Sequence, residues 1–242
     1  MTEKLDPYAA LRFREFNIFL VIRFILVFGW SMQFIIVEWE VYSLTKDPLS
    51  LGLIGLIEVI PAISMALFAG HIVDQREKKR LFVYCVTAFF IVAAGYYFIT
   101  SPYVYDNYEN SQILICIYIL VFLGGFIRAF IGPTIFSLVA LIVPKKVYPN
   151  AATWSISTWQ LAIVLGPAFA GFCIAWIGVH NSMGIVLATI IVGLLLIGFI
   201  KKKPILNPKI GEPIIQSLKA GLNFVYKTCL LYTSDAADEW CW

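Results

Sequence analysis

The chain has 242 residues, of which 60% are hydrophobic and 14% charged, against about 45–50% and 25% in soluble domains. That balance excludes an ordinary soluble fold and marks a polytopic membrane protein, with the lipid bilayer as its first partner. The formal charge of +3 is too small to suggest nucleic acid, and the basic residues fall in short clusters beside apolar runs, where they report topology. Cys85, Cys116 and Cys173 sit inside apolar runs and behave as small hydrophobes; no CxxC or Cys/His cluster occurs, so neither a disulfide framework, a metal site nor a cofactor is indicated.

The first apolar run is too long for the core of a signal peptide and no small-residue cleavage site follows it, so it reads as a retained span over about residues 16–44. Lys4, Arg12 and Arg14 precede it, which places the N-terminus in the cytoplasm by the excess of positive charge on inner loops. Arg23 falls in its inner third, and Glu38 and Glu40 near its outer end. Ionisable groups at such depths cost at least a few kcal/mol unless they face a polar cavity or a partner. Glu40 reads as interfacial; Arg23 and Glu38 are candidates for function.

Thr45-Lys46-Asp47-Pro48 is an outer turn, because proline at the first helical position needs no amide partner. The second span, about residues 50–72, carries Glu58 about 12 Å in from its outer end, and Glu38 lies about 9 Å in on the neighbouring helix. By this count the two carboxylates approach one depth, with Pro61 nearby to bend the second helix. The span leaves the membrane through GLIGLIEVIPAISMALFAGHIVDQREKKR, which ends in a mixed, mostly basic cluster.

In that exit Gly70 stands four positions before Asp74, Arg76 follows, and the pair Lys78-Lys79 comes at the fourth and fifth positions after the acid. This resembles the loop between helices two and three of the major facilitator superfamily, Gly-x-x-x-Asp-Arg/Lys-x-Gly-Arg-Arg/Lys, departing from it at Gln75 and Glu77. The resemblance implies a conformational role for Gly70, Asp74, Arg76, Lys78 and Lys79. Asp74 is then expected to contact the inner end of a neighbouring span or a basic side chain, and the glycine to let another backbone approach.

A third span, about 81–100, returns outward into SPYVYDNYENS, a loop with acids and no Lys or Arg. The fourth, about 112–143, contains Gly124-Gly125, Arg128 and Pro133, with Arg128 at a level similar to Arg23. The fifth, about 151–177, carries Gly166-Pro167 followed by Gly171, and the sixth, about 182–200, ends in Lys201-Lys202-Lys203. An Arg in helix four, the Val-Pro then Asn-Ala entry to helix five, and the Gly-Pro element resemble the exporter branch of the same superfamily, in particular its siderophore-exporter-like and drug-antiporter-like members. Gly166, Pro167 and Gly171 would then belong to an outer gate, since small residues permit close packing and proline bends the helix.

The expectation is an all-α protein of six transmembrane helices, the N-terminal bundle of a two-bundle transporter of the bacterial inner membrane, exporting a small molecule against protons or another coupling ion. An importer of the same fold and a non-transporting scaffold subunit are the alternatives. An enzyme is not indicated, as there is no HExxH or Ser/His/Asp grouping and only His71 and His180 are present. Residues 204–228 read as a cytoplasmic linker with an interfacial helix. Cys229-Leu-Leu-Tyr-Thr-Ser-Asp-Ala-Ala-Asp-Glu239 resembles a translated sequencing adapter, so residues 229–242 are set aside as an artefactual tail, and a missing C-terminal half of the same protein is expected as partner.

Overall fold

A computed structural model describes residues 6–203; the expected linker, its interfacial helix and the adapter-like tail lie outside the described residues. All regular structure among the described residues is helical: α1 Arg14–Thr45, α2 Pro48–Gln75, α3 Lys78–Ile99, α4 Pro102–Asn107, α5 Asn110–Ile142 and α6 Tyr148–Ile197. Five of them, all but α4, are long and apolar enough to cross a membrane.

The ends follow from local chemistry. α1 stops at Lys46, whose backbone turns left-handed (φ 53°) while its N–H still donates to Tyr42 O at 2.8 Å. Asp47 then caps α2, its Oδ1 accepting from the Leu49 N–H at 3.0 Å, with Pro48 in the first turn where no amide is needed. Glu109 and Gln112 form a capping box at the start of α5, which satisfies two amides that would otherwise be orphaned. Within the segment read as an open loop, Pro102–Asn107 instead forms the short helix α4, started by a proline in its first turn.

α6 has 50 residues, or about 75 Å at 1.5 Å per residue, over twice the roughly 30 Å of a bilayer core. It is interrupted at Gly178, where φ is 80° and ψ 171°, a conformation that glycine adopts without steric cost. Both ends of α6 return to the start of α1. Asn150 Oδ1 accepts from the Ala10 N–H at 2.8 Å, and the Lys201 N–H donates to Glu15 Oε1 at 3.0 Å. At the interruption, His180 stacks on Tyr97, near the far end of α3, with ring centroids 4.2 Å apart. The two arms of α6 therefore run antiparallel.

α1 is the central strut, held between the two arms by small residues. A Cβ on Gly166 would collide with Ser31 Oγ and lie 3.0 Å from Phe28 O, and one on Gly29 would collide with Thr189 Oγ1. Ser31 uses the close approach, donating to Phe28 O at 3.0 Å and across the interface to Ala162 O at 3.2 Å. Lipid offers no hydrophobic drive for helices to associate, so close packing and such hydrogen bonds hold the pair. α2 packs chiefly on α5, while α3 bridges α5 and α6. Few contacts join α1 to α2 or α5, and the space between them is the cavity described below.

Gly166 and Gly171 should behave oppositely. Gly166→Val overpacks the α1–α6 interface and is expected to cost about 1–3 kcal/mol, seen as a lower midpoint of thermal unfolding in detergent. Gly171 has open space where a Cβ would stand, so Gly171→Val should leave that midpoint unchanged.

Candidate functional site

A cavity of about 570 Å³ runs between α1, α2, α3 and α5, with Ile156 and Trp159 of α6 at its edge. Its size falls within the range of small-molecule sites, roughly 300–1,000 Å³. On α1 its lining includes Arg23, Trp30 and Val37, seven residues apart, with Gln33 between them; that is one face of a helix, since seven residues make about two turns. Across from them stand Glu58 on α2 and Gly124, Arg128 and Ile131 on α5. Most of the wall is apolar, so its few polar groups decide what it holds.

Glu58 and Arg128 form an ion pair, Arg128 Nη1 to Glu58 Oε1 at 3.0 Å. The carboxylate side chain is 10% exposed and the arginine 50%, and the guanidinium lies over the Trp30 ring, 5.2 Å from its centroid. The reason these two helices come so close is Gly125. A Cβ there would collide with Glu58 O and stand 2.5 Å from Pro61 Cγ, so the glycine brings the α5 backbone against α2 less than one turn before Arg128.

This pairing differs from the expected one in two ways. Arg128 was expected level with Arg23, yet it lies over Trp30, about 10 Å further along α1 at 1.5 Å per residue. α5 has 33 residues, about 50 Å, so it overshoots the membrane core and counting from its ends misplaces depth. Glu38 lies within electrostatic reach of Glu58 but is not part of the cavity wall, because it stands one position, about 100°, round the helix from Val37. Glu40 is buried and accepts from the Tyr105 hydroxyl of α4. The sequence reading of that residue did not include Tyr105, whose helix α4 lay in a segment read as loop.

Two polar atoms of the wall stand out among the described residues, one on Arg23 and one on Gln33. Arg23 Nε and Gln33 Oε1 are both buried without a hydrogen-bond partner. Gln33 was missed at the level of sequence, although a lone amide in an apolar span on the face of Arg23 and Val37 is a readable signal; Trp30 shares that face.

At the basic end of the bundle the loop between α2 and α3 is organised by its lysines. Lys78 Nζ donates to Val73 O near the end of α2. Lys79 Nζ reaches the end of the second α6 arm, donating to Gly198 O at 3.2 Å and to Ile200 O, where a cation also complements the helix dipole. Asp74 is exposed and in no ion pair among the described residues; its charge is felt by Lys78. Arg76 is exposed. Gly70 has open space where a Cβ would stand, so the close backbone approach expected there is not present. The contact expected of the acid is thus made by the neighbouring base, because the long lysine side chain spans the gap that a short carboxylate does not. Of the Gly-Pro element, Gly166 is packed against α1 while Pro167 lies inside the helix without breaking it.

An all-helical bundle of apolar, membrane-length helices around an amphipathic cavity is the architecture of a membrane transporter domain. The family model described as Major Facilitator Superfamily matches residues 19–233, most of the chain, and the chain belongs to that family. No curated protein matches it.

The Glu58–Arg128 pair carries a direct prediction. Removing one partner strands the other charge, so Glu58→Gln and Arg128→Gln should each lower stability more than the double variant implies by addition. With the arginine half exposed, the coupling from a double-mutant cycle of detergent unfolding is expected at about 1 kcal/mol, above a surface pair and below a fully buried one.

Proposed function

We propose that this bundle is one half of a secondary active transporter of the bacterial inner membrane, with its N-terminus and basic end in the cytoplasm, driving efflux of a small molecule at the expense of a proton gradient. The observation that carries the reading is the Glu58–Arg128 pair within a cavity of ligand size. Ionisable groups inside a membrane bundle mark substrate and proton pathways, and this pair lies in the cavity wall that α2 and α5 present to α1. When Glu58 takes up a proton its attraction for Arg128 is lost, and Arg128, which also lies over Trp30 of α1, is released at the seam between the α2–α5 and α1–α6 layers. Glu38, beside it electrostatically, is the carboxylate that passes the proton between Glu58 and the far end of the bundle.

The superfamily works with two six-helix bundles rocking around a site at their interface. The working unit is therefore this bundle together with a second, supplied by a C-terminal half or by a second copy of the chain. Gly166, packed on α1, and Pro167 beside it form the outer-gate element of α6. Asp74 with Arg76, Lys78 and Lys79 acts as the latch of the basic end, released when Lys79 leaves the α6 terminus.

In proteoliposomes holding the complete two-bundle unit, an imposed proton gradient should drive saturable flux, and Glu58→Gln should abolish accumulation against a gradient while leaving downhill exchange. A Glu58→Gln variant that still accumulates substrate at the normal rate would remove Glu58 from coupling. Asp74→Asn should lower turnover more than apparent affinity; the reverse pattern would place Asp74 in binding. This bundle by itself should show no flux, and flux from it would make a pair of identical chains the working transporter.

A further inference from the structure

We propose that the cavity binds an organic anion, a molecule with an elongated apolar body and one acidic group that is neutralised by Arg23. The inference rests on the transport reading of the cavity and assigns the chemical class of what enters it.

Three charged side chains line the wall: Arg23, Glu58 and Arg128. Glu58 and Arg128 are spent on each other at 3.0 Å, and the face of Trp30 also takes up Arg128. Arg23 has no such compensation. It makes no ion pair or hydrogen bond among the described residues, and its Nε is buried with no acceptor.

The acids on its own helix do not reach it. Glu15 lies about 12 Å away along α1 and is engaged by Lys203 at 2.8 Å and by the Lys201 amide. Glu38 lies about 22 Å away in the other direction. With Glu58 and Arg128 balancing each other, Arg23 leaves the wall with a net positive charge. A guanidinium in an apolar wall is unfavourable until it finds an anion; an acidic ligand removes that cost, a neutral ligand leaves it, and a cation adds repulsion to it. Arginine also presents a planar fork of donors that suits carboxylate, sulfonate or phosphate oxygens.

The length of the ligand follows from the second unpartnered group. Gln33 Oε1 is buried and accepts no bond, and it stands ten residues, about 15 Å, from Arg23 on the same face. A ligand that satisfies both has its acidic group at one end, a hydroxyl or N–H donor near the other, and an apolar stretch between them against Val27, Trp30 and Ile131, all of which line the wall.

The test uses three probes with one aromatic body and three charges: 2-naphthalenesulfonate, 2-naphthylmethanol and 2-naphthylmethylammonium. Each is titrated into the protein in lipid nanodiscs and followed by saturable quenching of tryptophan fluorescence, since Trp30 and Trp159 line the cavity; empty nanodiscs give the partition background. The sulfonate should bind at least about tenfold more tightly than either of the others. Arg23→Gln should abolish that preference, and Arg23→Lys should keep part of it. Equal affinities, a preference for the ammonium probe, an absence of saturable binding, or a sulfonate preference that survives in Arg23→Gln would each overturn the proposal. Should Arg23→Gln fail to insert, the ranking of the three probes on the unaltered chain decides by itself. A retained sulfonate preference with no gradient-driven flux from the two-bundle unit would sink the transport reading alone, whereas flux that takes neutral or cationic probes equally well would sink the anion class alone.

Discussion

Inside a membrane a charge is tolerable only against another charge or in water, and in this bundle α2 and α5 are close enough to meet that condition because Gly125 has no side chain. The Glu58 carbonyl and Pro61 occupy the space a Cβ would take, and Arg128 then reaches the Glu58 carboxylate. Replacing the glycine would push the helices apart and leave two charges in an apolar wall. Packing and electrostatics are thus one constraint here, and the cavity inherits its geometry from it.

The same dependence on small residues recurs on the other side of the cavity. Gly29 and Gly166 let the two arms of α6 clasp α1, and the Ser31 hydroxyl crosses to Ala162 O where the backbones are nearest. A bundle assembled this way has two rigid layers, α1 with α6 and α2 with α5, bridged by α3 and separated by a weakly packed seam. Layers that touch little are layers able to move relative to each other, and the seam is where the charged residues stand.

The two ends of the bundle are closed by different chemistry. At the basic end Lys79 caps the second α6 arm, Lys203 and the Lys201 amide converge on Glu15, and Asn150 holds the segment before α1. At the opposite end the closures are a ring stack, His180 on Tyr97, and the bond from the Tyr105 hydroxyl to the Glu40 carboxyl.

Composition, the length of the apolar runs and the sign of the loops determined, without coordinates, that this is an all-helical membrane protein built from long apolar helices. Those properties are local: a helix must satisfy its own backbone in lipid, and proline, glycine and capping residues mark its ends whatever lies beside it. The superfamily was legible too, because its motifs are short and contiguous. What only the tertiary structure decided was which anomalous charges meet. Glu38 and Glu58 lie within electrostatic reach of each other, as the depth count implied, but the group Glu58 bonds is Arg128; the tie from the α2–α3 loop to α6 is made by Lys79; and Glu40 accepts from Tyr105 of α4. Depth along a helix can be counted from its ends, but a 33-residue helix overshoots the bilayer, and the direction a side chain takes around the axis, together with the gap a glycine opens on the neighbouring helix, exists only once the helices are packed.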